Sequence, residues 1–135
     1  MISRAGRCSH GRAMDEVRLS VPVLNSLVFI LDAKQSVSPH VDGVGAYWKT
    51  DSCVAVGCLP DSDGETEIVL TADDATPDGL KFLAAVRLET PSARIAIELV
   101  PRRRIAEVEV PSTSTTLEIW TDGYRDTSII HAIVR

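Results

Sequence analysis

From residue 17 onward the chain alternates apolar and polar positions with a period of two. Val17, Leu19, Val21 and Val23 fall on one side of an extended segment, and Arg18 and Ser20 fall on the other. The same beat returns in "GAYWKT" (45–50), "CVAVGCL" (53–59), "TEIVLTA" (66–72), "FLAAVRLE" (82–89), "RIAIELV" (94–100), "RIAEVEV" (104–110), "TLEIWT" (116–121) and "SIIHAIV" (128–134), most of them rich in β-branched residues. "SLVFILDA" (26–33) is apolar on both sides, as a central strand covered twice should be. Together these segments predict eight to ten strands.

Turn residues punctuate the strands at Gly43, Pro60 with Gly64, Pro77 with Gly79, Pro91, Pro101, Pro111 and Gly123. Short strands separated by such signals at this even spacing point to an all-β, mostly antiparallel β-sandwich rather than to βαβ units. The one competing helical pattern is "DGLKFLAAVRLE" (78–89), where Leu80, Leu83, Ala84 and Arg87 can line a helix face. Pro91 and the alternation after it favour a strand. The clearest pairing is 94–100 against 104–110 through Pro101, Arg102 and Arg103. It sends Ile95, Ile97, Leu99, Ala106, Val108 and Val110 inward and leaves Arg94, Glu98, Glu107 and Glu109 in solvent.

A chain of 135 residues fits one domain with a single core. Residues 1–14 hold Arg4, Arg7 and Arg12 and no acid, and they lack the apolar stretch of a secretory signal. They read as a basic, disordered arm or an upstream mis-start before a sandwich over 15–135. The net charge is −5, but residues 15–135 carry 11 basic against 19 acidic residues, a net of −8. That balance argues against nucleic acid as a partner, since phosphates call for clustered Lys and Arg, and it favours a basic protein. No apolar run approaches the length of about 18 residues that spans a bilayer, so a soluble protein is expected. Cys8, Cys53 and Cys58 are odd in number and match no metal spacing. Cys53 and Cys58, five apart, belong on opposite faces of a strand, as reduced structural thiols in a cytoplasmic protein.

The most suggestive stretch for chemistry is "PDSDGETE" (60–67), with Asp61, Asp63 and Glu65 around Gly64. A helix-flanked calcium loop needs glycine at its sixth position and glutamate at its twelfth, and neither requirement is met. The plainer reading is a turn closed by Gly64 at positive φ. His40 beside Asp42 offers a general-base pair on which a catalytic reading would have to rest. His131 shares the face of Ile129 and Ile133 and reads as a hydrogen-bonded strand histidine. No nucleophile elbow, phosphate-cradling loop, H-E-x-x-H or dinucleotide fingerprint occurs, so no catalytic residue, metal ligand or cofactor is assigned. Arg102, Arg103 and Arg104 are the one basic cluster. Tyr47, Trp48, Trp120 and Tyr124 are candidate recognition residues if exposed, with core use the more natural place for Trp120.

The segments "FILDA", "DSCVAVGCLPDSDGETEIVL" and "RIAEVEVPSTSTTLEIWTD" resemble the bacterial competence protein J family and related small β proteins, over residues 25–122. Where that family continues with a glycine-plus-tyrosine turn after the proline, this chain has "STSTTLEIW" after Pro111. The resemblance implies an inhibitor that blocks a nuclease of DNA uptake by binding it. The expectation is therefore a non-enzymatic interaction module of the inhibitor or immunity kind for a basic partner, with Tyr47, Trp48, Asp61, Asp63, Glu65, Trp120 and Tyr124 as contact candidates. The alternative is a small-ligand or carbohydrate-binding sandwich that stacks its ligand on the four aromatic rings. Open sheet edges also allow pairing into a homo-oligomer.

Overall fold

The computed structural model describes residues 15–135. Ten strands follow in chain order: β1 (Val17–Val21), β2 (Leu27–Asp32), β3 (Tyr47–Lys49), β4 (Cys53–Gly57), β5 (Thr66–Thr71), β6 (Lys81–Glu89), β7 (Arg94–Leu99), β8 (Arg103–Glu109), β9 (Ser114–Thr121) and β10 (Ile129–Val134). They form two five-stranded sheets, ordered β1-β5-β10-β9-β6 and β3-β4-β2-β7-β8. Every pairing is antiparallel except β5 with β10. The fold is all-β, as the alternation predicts, and the helical reading of 78–89 gives way to β6.

The two sheets meet on their apolar faces. Val28, Ile30, Val54, Val56 and Ile97 from one sheet and Ile68, Leu70, Leu117, Ile119 and Ile130 from the other are fully or almost fully buried in a common core. Each such side chain stabilises the fold by about 1.5–3 kcal/mol through burial. β2 lies between β4 and β7, so Phe29 and Leu31 face away from the core while Val28 and Ile30 enter it, the arrangement its two-sided apolarity predicts.

The β7–β8 hairpin has the expected pairing, with Ile95 opposite Val108 and Ile97 opposite Ala106, and a register shift follows at Ile97/Glu98. Its outer face is closed by ion pairs: Arg94 to Glu107 at 2.6 Å, Arg104 to Glu98 at 2.8 Å and Arg104 to Glu107 at 2.8 Å. Arg104 also donates to the carbonyl of Ala33. Of the basic cluster, Arg104 is therefore a structural residue.

Two connections decide what the outer faces look like. β2 and β3 run the same way on either side of β4, and β5 and β6 run the same way on either side of β10 and β9. The chain at 33–46 and again at 72–80 must therefore return along its sheet, and the core occupies the inner side. On the outer faces Cys53, Ala55, Ala96, Val69 and Ile133 are buried although they point away from the core. Among the described residues no helix is long and apolar enough to cross a membrane.

Candidate functional site

The strand registers place the ends of β1, β4, β7 and β9 and the starts of β2, β3, β5, β6, β8 and β10 at one end of the sandwich. The connections there are stitched to one another across the two sheets. Leu59 N–H donates to the carbonyl of Thr127 at 3.0 Å, and Cys58 N–H donates to Ser26 at 2.9 Å. Three segments converge on Gly57: a Cβ placed there would lie 3.5 Å from the Ala46 carbonyl, 3.8 Å from that of Arg125 and 3.9 Å from the Trp48 ring. This end therefore gathers the start of β3, the 58–65 connection, the start of β6 and the 122–128 connection.

Asp61, Asp63 and Glu65 are exposed on the 58–65 connection. Asp61–Asp63 form one 3₁₀ turn, with Asp63 N–H donating to the carbonyl of Pro60 and Gly64 N–H to that of Asp61. Gly64 closes it at φ +135, a conformation that a side chain resists. The run is thus a turn, and Glu65 Oε1 accepts from the Ser20 hydroxyl at 3.0 Å. Among the described residues no group of three His, Cys, Asp or Glu side chains is arranged to hold a metal ion.

The aromatic candidates divide. Tyr47 (37% exposed) begins β3, and Tyr124 (62% exposed) sits in the 122–128 connection. Trp48 is half-buried on the outer face opposite Ala55, and its indole N–H donates to Asp42 Oδ1 at 3.0 Å. Trp120 does not enter the core as expected. It faces outward on the other sheet, opposite His131 and Phe82, with the Phe82 ring packed edge-on at a centroid distance of 5.6 Å. The four rings therefore form no common platform.

Phe82 is the residue that the alternation misplaces. Strict period two puts it on the same face as Ala84, Val86 and Leu88, which are buried. A register irregularity between Phe82 and Ala84 turns it to the outside, 54% exposed. Nothing in the local sequence signals that irregularity.

The remaining titratable groups have structural explanations. Asp42 is drawn down from the ordinary carboxylate range by the Trp48 indole N–H and by the N–H groups of Val44 and Gly45, all three donating to it. It organises the approach to β3, and no hydrogen bond joins it to His40. Asp122 plays the same part in its own connection, accepting from the Ser128 and Thr127 hydroxyls, Ser128 N–H and Ile129 N–H. Burial acts to raise its carboxyl, but these bonds prevail and the net shift is downward. Cys58 points into the core and Cys53 away from it, on opposite faces as the spacing predicts. Burial, with a smaller contribution from the Glu98 charge, pushes the Cys53 thiol up to about 12, and burial also raises Cys58. Neither is a nucleophile near neutral pH. His131 departs from expectation: its Nε2 is buried with no hydrogen-bond partner, as is the Nε1 of Trp120 beside it.

No family model matches the chain, and no curated protein matches it in sequence. Among solved structures it is similar to ComJ, inhibitor of the DNA degrading activity of NucA, from Bacillus subtilis. The two share 14% identity at a TM-score of 0.67, over 92% of this chain and 100% of that one. The resemblance drawn from "FILDA" and the later turn patterns is therefore shown at the level of the fold.

Proposed function

We propose that the protein is a non-catalytic interaction module of the inhibitor kind, acting on a protein with a basic surface such as a nuclease. The observation that carries this reading is the likeness in fold to a nuclease inhibitor along that inhibitor's whole length. Charge adds to it, because residues 15–135 are acidic by a net of −8. A nuclease surface built for phosphates attracts acidic proteins and steers their approach. The small-ligand reading has less support, since Trp48 and Trp120 lie on the outer faces of different sheets.

The test is made in the cell that encodes the protein. Deleting the gene is expected to raise the DNA-degrading activity of the extract several-fold, and stoichiometric purified protein is expected to restore the original level. If degradation is unchanged by deletion and indifferent to added protein, the inhibitor reading is wrong.

A further inference from the structure

We infer that the loop end of the sandwich is the docking surface, and that its occupant is a basic protein gripped by Tyr47, Phe82 and Tyr124 at the same end as unmatched carboxylates. This deepens the inhibitor reading and rests on it.

Large apolar side chains scattered singly over a surface mean little, whereas their concentration in one place marks an interface. Six such side chains are exposed among the described residues: Leu24, Val37, Val44, Tyr47, Phe82 and Tyr124. All but Val37 lie at the end described above. Leu24 belongs to the turn between β1 and β2, Val44 and Tyr47 to the approach and start of β3, Phe82 to the start of β6, and Tyr124 to the 122–128 connection. Val37 is held toward the other end, where its N–H and carbonyl bond to Ser52 and Thr50.

The Phe82 ring and the backbone that carries Tyr47 and Tyr124 are also held in place before anything binds. Asp122 ties together both flanks of the loop that carries Tyr124. Asp42 fixes the approach to Tyr47 through Val44, Gly45 and Trp48. Phe82 is braced by Trp120, with the planes at 74°. A pre-organised aromatic anchor loses little conformational freedom on binding, which is why such residues carry most of the affinity at interfaces.

The carboxylates select the partner's charge. Asp61, Asp63, Glu65, Asp78 and Asp126 are exposed on the connections of this end. Among the described residues none of them forms an ion pair, in contrast to the acids of the β7–β8 face, which are matched by Arg94 and Arg104. The cations of the end are Lys81, Arg125, Arg102 and Arg103, and the last two stand apart at the β8 edge. Unmatched carboxylates at the same end as exposed apolar side chains suit a partner surface that carries Lys and Arg beside an apolar patch of its own.

The experiment uses the full chain and the DNA-degrading activity of the native extract as its probe. The variant combining Tyr47→Ala, Phe82→Ala and Tyr124→Ala is compared with wild type and with Val37→Ser, and thermal melting verifies that each is folded. Wild type and Val37→Ser are expected to suppress degradation equally, and the triple variant to need on the order of 100-fold more protein. Suppression by the triple variant at the wild-type dose overturns the docking surface and leaves the inhibitor reading standing. An extract that wild type itself cannot suppress overturns both.

Discussion

Five aspartates of one chain do two different things, and only their surroundings separate them. Asp61 and Asp63 are exposed on a turn. Asp32, Asp42 and Asp122 instead gather backbone N–H groups that their connections would otherwise leave unpaired. Asp32 is buried and accepts from Lys34 N–H, Gln35 N–H, Ser92 N–H and the Ser92 hydroxyl. Asp32→Asn replaces one acceptor oxygen by a donor facing donors, so it is expected to lower unfolding stability by about 1–3 kcal/mol in urea titrations. An unchanged midpoint would show that the carboxylate is dispensable.

His131 makes a second prediction at this scale. Burial, then the nearby Arg18 charge, depresses its affinity for a proton, against smaller opposing effects of Glu16, Asp73 and Glu67. The unfolded chain takes up a proton near pH 6.5, while the folded imidazole resists it to lower pH. Stability from this residue is therefore complete above about pH 6.5 and declines as pH falls toward the folded value. Unfolding midpoints measured between about pH 7.5 and 5 should decrease for wild type, and the decrease should be smaller in His131→Gln. Equal slopes in the two proteins would remove His131 as the cause.

At the scale of elements, the β7–β8 hairpin is written in the sequence as far as its slip at Ile97/Glu98, because Arg94–Ile97 and Ala106–Glu109 alternate strictly and a turn lies between the two strands. Ile97 lies on its inner face, completely buried. Ile97→Ala is expected to cost about 2–5 kcal/mol by calorimetry or urea unfolding. Opposite it on the outer face, the charged pairs are open to solvent, so Glu107→Gln is expected to change stability far less than Ile97→Ala does. Comparable losses from the two substitutions would contradict the division into inner and outer faces. β6 is the counter-example. Its strand identity is legible, but the slip at Phe82/Ala84 arises from its pairing with β9, so the outward placement of Phe82 is not.

For the molecule as a whole, the distribution of charge is the feature with a functional consequence. If unmatched carboxylates draw in a basic partner, inhibition should weaken as ionic strength rises from about 0.05 M to about 0.5 M, because the screening length shrinks from about 14 Å to about 4 Å. Retained aromatic contacts should leave part of the inhibition in place at high salt. A dose-response of the extract activity at several salt concentrations checks this, and complete indifference to salt would assign the interaction to apolar contact alone. The candidate site was legible in pieces: the acidic turn, Tyr47 and Tyr124 stand out as residue types. Trp48 and Trp120 stand out equally, yet one is tied to Asp42 and the other packs under Phe82.

What the sequence determined by itself is the alternation that makes strands, the turns that end them and the acidity of the folded part, since each depends on residues close together in the chain. Sheet order, the single parallel pairing of β5 with β10, the exposure of Phe82 and the gathering of five apolar side chains at one end were decided by the tertiary structure. Those features depend on which distant strands become neighbours, and a period of two says which face a residue takes but not what it will find there.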